Sequence, residues 1–104
     1  MWIFQNDSFL SIVAHRTKPS VLLVRARKAG DIEAVFPQAQ VRKGEGTDYR
    51  YRADIPTEDV ARALAERVQG IAYPNFKDSV PNHARRDVYF AVWDVMRRWG
   101  QESA

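Results

Sequence analysis

Two pairs of arginines are the residues in this chain best suited to chemistry. Arg25 and Arg27 close the run Val21-Leu22-Leu23-Val24-Arg25-Ala26-Arg27, and Arg50 and Arg52 alternate with tyrosines in Tyr49-Arg50-Tyr51-Arg52-Ala53-Asp54-Ile55. Residues two apart share one face of a strand, so each pair projects to one side. A guanidinium is a planar, permanently charged fork of N–H donors that matches phosphate or carboxylate oxygens two at a time. If the two strands are neighbours, four such forks form an anion-binding patch. The competing reading is a solvated face neutralised by Glu45, Asp48 or Asp54. Like charges directly opposed across strands also repel unless they are offset or paired. The same alternation puts Tyr49 and Tyr51 with Ala53 and Ile55 on the buried side. Those rings are therefore expected in the core, not among the arginines as a platform for bases.

His15 and His83 are the only histidines. Together with Tyr73, Lys77 and the arginines they could compose a metal-independent ribonuclease. A histidine or tyrosine would move protons while arginine stabilises the phosphate. The two histidines are far apart in the chain, and His83 falls near the start of a helix, where a polar residue needs no special role. The segment Tyr73-Pro74-Asn75-Phe76-Lys77-Asp78-Ser79-Val80 mixes aromatic, amide, basic and acidic groups. Such a loop can present Asn75, Lys77 and Asp78 to a ligand while Tyr73, Phe76 and Val80 anchor it. No spacing of histidines or carboxylates suits a metal, and no cofactor is implied.

The elements that must position these groups follow from periodicity. Met1–Phe4 and Phe9–Ala14 flank the turn Asn6-Asp7-Ser8 as a hairpin, and Val21–Arg27 follows Lys18-Pro19-Ser20. Gly30 breaks that strand, and Asp31–Phe36 forms a short helix stopped by Pro37. Gln40–Lys43 can pair across Gly44-Glu45-Gly46 with the Tyr49–Ile55 strand. Thr57 is the expected N-cap of a helix whose apolar stripe is Val60, Leu64 and Val68, widened by Ala61 and Ala65, with Gly70 as its stop. A last helix runs from about His83 to Trp99, with Val88, Val92, Val95 and Trp99 as one stripe. Beside it, Tyr89, Trp93 and Met96 form a second stripe suited to an interface, rimmed by Arg85, Arg86, Arg97 and Arg98. The expected architecture is an α+β two-layer sandwich, a mainly antiparallel sheet of three to five strands covered by two longer C-terminal helices. Residues 1–100 are read as a single α+β domain and 101–104 as a flexible tail.

Composition narrows the class. The chain has 104 residues, 45% of them hydrophobic and 12% aromatic, enough for a folded core and too apolar for disorder. A net charge of +3 permits nucleic acid without demanding it. Cysteine is absent, which removes disulfides and thiolate chemistry and suits a cytoplasmic location. No apolar run reaches the length of a membrane span.

Through Met1-Trp2-Ile3, Phe9–His15, Leu22–Arg27, Gly30-Asp31-Ile32-Glu33, Asp48–Ala53, Tyr73–Val80 and Val92–Met96, the chain resembles an uncharacterised family of small bacterial or phage-associated proteins. That resemblance implies no activity. The residues themselves point to a noncatalytic binding module for a protein partner or for a phosphate-bearing polymer such as RNA or DNA, with a homodimer through the last helix. The alternative is a small, toxin-like, metal-independent ribonuclease.

Overall fold

The computed structural model describes residues 1–44 and 48–102. Glu45 and Gly46 of the expected turn, and Ser103 and Ala104 of the expected tail, lie outside the described residues. The protein is a mixed α+β fold with one five-stranded antiparallel sheet and two longer helices. Its chain forms two compact units, Met1–Ala72 and the segment from Tyr73 onward.

In the first unit, β1 (Trp2–Gln5) and β2 (Ser8–Ala14) form a hairpin in which Gln5 pairs with Ser8 across the two-residue turn Asn6-Asp7. β3 (Val21–Ala26) returns beside β2, and β5 (Tyr51–Pro56) pairs with β3, so that β4 (Arg42–Lys43) lies at the far edge. Between β3 and β4 runs the short helix α1 (Asp31–Val35), entered through Gly30 at φ 91°, a left-handed conformation that glycine adopts without a Cβ clash. Helix α2 (Thr57–Gln69) follows β5 directly. Alternation sorts the strands into two faces. Leu10, Ile12, Val24, Ala26, Ala53 and Ile55 point to the side covered by Ile32, Val35 and Phe36 of the α1 region and by Val60 of α2. Arg67 of α2 ties the layer together, donating to Asp7 Oδ1 at 2.8 Å and to the Ala34 carbonyl.

Three local expectations change. Thr57 is the first helical residue, not the cap: Pro56 occupies the cap position, and the Thr57 N–H donates to the Ser20 carbonyl at 2.9 Å. The sheet connection has taken over the job that a capping side chain would do. On α2 the inward stripe is Val60, Ala63 and Leu64, whereas Val68 is exposed near the helix end. Finally, the strand begins at Tyr51, so its two-residue period does not extend back to Tyr49.

In the second unit, a 3-10 helix (Lys77–Ser79) leads to α3 (His83–Glu102). Asn82 caps α3, its Oδ1 accepting from the Arg85 N–H at 2.9 Å. The Arg86 guanidinium donates twice to the Val80 carbonyl, at 3.0 and 2.8 Å. Phe76 stacks on buried Tyr89 with ring centres 5.6 Å apart, and Tyr73 leans on Phe76 at 5.9 Å. α3 continues to Glu102, past the Trp99 at which its apolar stripe ends, because no proline or left-handed residue interrupts it. Among the described residues, no helix is long and apolar enough to cross a membrane.

Candidate functional site

On the sheet face opposite α1 and α2, register brings the arginines together. Arg25 of β3 is directly opposite Arg52 of β5, and Arg52 is directly opposite Arg42 of β4. Directly opposed residues share a face, so three guanidinium-bearing side chains stand in one row on adjacent strands. Arg27 follows Arg25 two residues later, just past the end of β3. Arg50 precedes β5 and is exposed. Arg42 escaped the sequence reading because it lies in a two-residue strand too short to show a period. Its only signal was membership in the Gln40–Lys43 run already paired with the tyrosine strand.

The arginines are organised around Tyr49. Its ring is buried, with the Arg25 and Arg27 guanidinium carbons 4.5 and 4.3 Å from the ring centre. Tyr49 therefore lies among the arginines, against the expectation that it would share the core face of Tyr51. The bend before β5 frees it from the strand's alternation, and the π-face attracts the cations. Arg52 Nε donates to the Tyr49 carbonyl at 3.3 Å, and Arg25 Nη2 donates to Ser11 Oγ at 2.7 Å.

Asp48 supplies a carboxylate here, bonded to Arg27 at 2.6 Å. That hydrogen bond holds its carboxyl below the usual range against the opposing influence of burial, with the charges of Arg27, Arg25 and Arg52 adding to the effect. The same bond raises Arg27. One carboxylate thus serves three guanidiniums, and neither Arg25 nor Arg52 has a carboxylate partner of its own among the described residues.

A second cluster surrounds Asp54, also on this face. Arg42 donates to its Oδ1 at 3.2 Å, and His15 Nε2 and Lys18 Nζ stand 3.4 and 3.6 Å from Oδ2. Burial pushes this carboxyl up, but the Arg42 hydrogen bond and charge, with His15 Nε2 and the Lys18 ammonium beside it, outweigh burial and leave it below its ordinary value. His15 Nδ1 accepts from the backbone N–H groups of Thr17 and Lys18 at 3.2 and 3.1 Å. The ring proton accordingly lies on Nε2, toward Asp54, and neither nitrogen is left open to take a proton from a substrate. Among the described residues no group of three or more histidine or acidic side chains is arranged to hold a metal ion.

The remaining sequence candidates belong to the second unit. Asn75 Oδ1 accepts from the Asp78 N–H at 3.1 Å, closing the turn that starts the 3-10 helix. Lys77 lies over the rings of Phe90 and Trp93, 5.4 and 4.6 Å from their centres. Tyr73 packs on Phe76, and His83 is the exposed first residue of α3. Tyr89 is buried, whereas Val88, Val95 and Trp99, expected in the core, are exposed together with Trp93 and Met96. No protein-family model, no curated protein and no solved structure matches this chain.

Proposed function

We propose that this protein is a noncatalytic binding module whose arginine-bearing sheet face engages a phosphate-bearing polymer. The observation that carries this reading is the Arg25–Arg52–Arg42 row. Like charges directly opposed on neighbouring strands weaken a sheet, and with no carboxylate partner for Arg25 or Arg52 alone among the described residues, an anion crossing the row would relieve that repulsion. Binding is preferred to RNA cleavage because both ring nitrogens of His15 are already engaged. The test uses Arg52→Ala. Removing the central charge relieves repulsion on both sides, so stability to urea should hold or rise. Affinity for heparin or RNA at low salt should fall, and the slope of log affinity against log salt should lessen by about 0.7. Unchanged affinity with an unchanged slope would sink the reading. RNA cleavage in excess chelator, abolished by His83→Ala, would replace it with the nuclease.

A second reading, self-association as a homodimer, is favoured by one feature of α3. Val88, Val95 and Trp99 are exposed on a single helix at spacings of seven and four residues, with exposed Met96 beside Val95. A symmetric helix pair would bury them. Light scattering of the whole chain should then give a dimer mass, and Val95→Glu a monomer of unchanged circular dichroism. A monomer at high micromolar concentration would end this second reading.

A further inference from the structure

We infer that the polymer is single-stranded nucleic acid, with its phosphates along the arginine row and a base against the Trp2 indole; this rests on the polyanion-binding reading above. The register line that carries the arginines continues to the other edge of the sheet. From β1 to β4 it reads Trp2, Ser11, Arg25, Arg52, Arg42, each residue directly opposite the next. Four interstrand steps span about 19 Å. One line therefore carries an exposed aromatic ring at one edge and three guanidiniums toward the other, with buried Ser11 between them accepting from Arg25.

The aromatic end is built to present a ring. Phe4 and Phe9 are directly opposite one another with ring centres 4.5 Å apart, and Trp2 meets Phe9 edge-on at 6.1 Å and 77°. Phe9 thus backs the indole from one edge, while Trp2 remains 68% exposed. An indole on an edge strand gains nothing from water, whereas a nucleobase laid on it covers apolar area on both partners. The indole and the guanidiniums share a face, as a strand with alternating phosphates and bases requires.

Charge and shape together select the ligand class. Among the described residues, Arg25, Arg27, Arg42 and Arg52 outnumber Asp48 and Asp54 on this face, which favours a polyanion. A duplex keeps its bases stacked and paired inside, so it could use the arginines but not the indole. A sulfated or phosphorylated polymer without rings would likewise leave Trp2 idle. The line carries no paired donor–acceptor set at the indole, so recognition should be tolerant of base identity.

The experiment is fluorescence anisotropy with the whole chain and a labelled oligothymidylate of about 12 nucleotides. The same strand annealed to its complement, and heparin as a competitor, supply the comparisons. The single strand should bind about tenfold or more tighter than the duplex. Trp2→Ala should cost about tenfold for the single strand, leave duplex binding and the salt slope unchanged, and be partly rescued by Trp2→Phe. Arg52→Ala should weaken both forms and lessen the slope. Circular dichroism of each variant establishes that it is folded, which the exposure of Trp2 favours. Equal affinity for strand and duplex, or full affinity in Trp2→Ala while Arg52→Ala is weakened, would overturn the inference and leave polyanion binding standing. No binding of any of the three polyanions would overturn both.

Discussion

Tyr49 shows how one side chain can organise several charges. Its buried ring is the surface on which Arg25 and Arg27 lie, and its carbonyl accepts from Arg52. Tyr49→Ala should therefore destabilise the first unit by about 3 kcal/mol, while Tyr49→Phe, which keeps the ring, should cost about 1 kcal/mol or less. Urea midpoints of the two variants would check this, and equal losses would show that the ring is not what matters. Asp54 predicts an acid limb. Its carboxyl is held below the ordinary 3.8 when folded, so the stability it contributes is present above that value and disappears as pH falls through the lower, folded one. Asp54→Asn should lower stability at neutral pH by about 1 kcal/mol, leaving Arg42 and Lys18 without their shared acceptor. Its stability should also fall less steeply than that of the unmodified chain below about pH 4. Parallel slopes in acid would remove Asp54 from the account.

Among the elements, α1 is entered through a left-handed glycine. Gly30 turns the chain out of β3 at φ 91°, and a Cβ added there would meet nothing within 4 Å. Substitution consequently costs backbone strain alone, with no steric clash to add to it. Gly30→Ala should lose about 1–2 kcal/mol, and Gly30→Asn less, since asparagine tolerates the left-handed region better than other side chains. Thermal melts that rank the two variants in the opposite order would point to a different cause. The consequence reaches the sheet core, because Ile32 and Val35 of α1 cover Leu10, Ile12 and Val24. Neither side chain could do so if the helix entered at another angle.

At the scale of the whole chain, the buried cluster runs from Leu10 to Val60 and lies entirely within the first unit. A chain ending at Ala72 should therefore keep the sheet and unfold cooperatively, though with modest stability for its size. Near-ultraviolet circular dichroism and a urea transition on that fragment would test it. Loss of a cooperative transition would mean that the sheet depends on the segment from Tyr73 onward. The same fragment contains Trp2 and the full arginine row.

What the residues determined without the fold was local. Alternation set Arg25 and Arg27 on one side of their strand and Arg52 opposite Ala53 and Ile55. Gly30 and Pro37 bounded α1, and Asn6-Asp7 lay at the hairpin turn. Each of these depends on a period or a backbone preference expressed over a few neighbours. Only tertiary structure decided which strands adjoin and in what register. A slip of one residue between β3 and β5 would have sent Arg52 to the core face, so the row with Arg25 and Arg42 is a product of long-range pairing. Tertiary structure likewise turned Tyr49 away from Tyr51, because the strand stopped short of it and two guanidiniums offered a better neighbour than the core. It buried Tyr89 against Phe76, a choice that two adjacent apolar stripes on α3 left open. Trp2 entered the argument through its cross-strand neighbours, because an aromatic residue near the start of a short strand carries no periodic signal that separates a packed ring from a presented one.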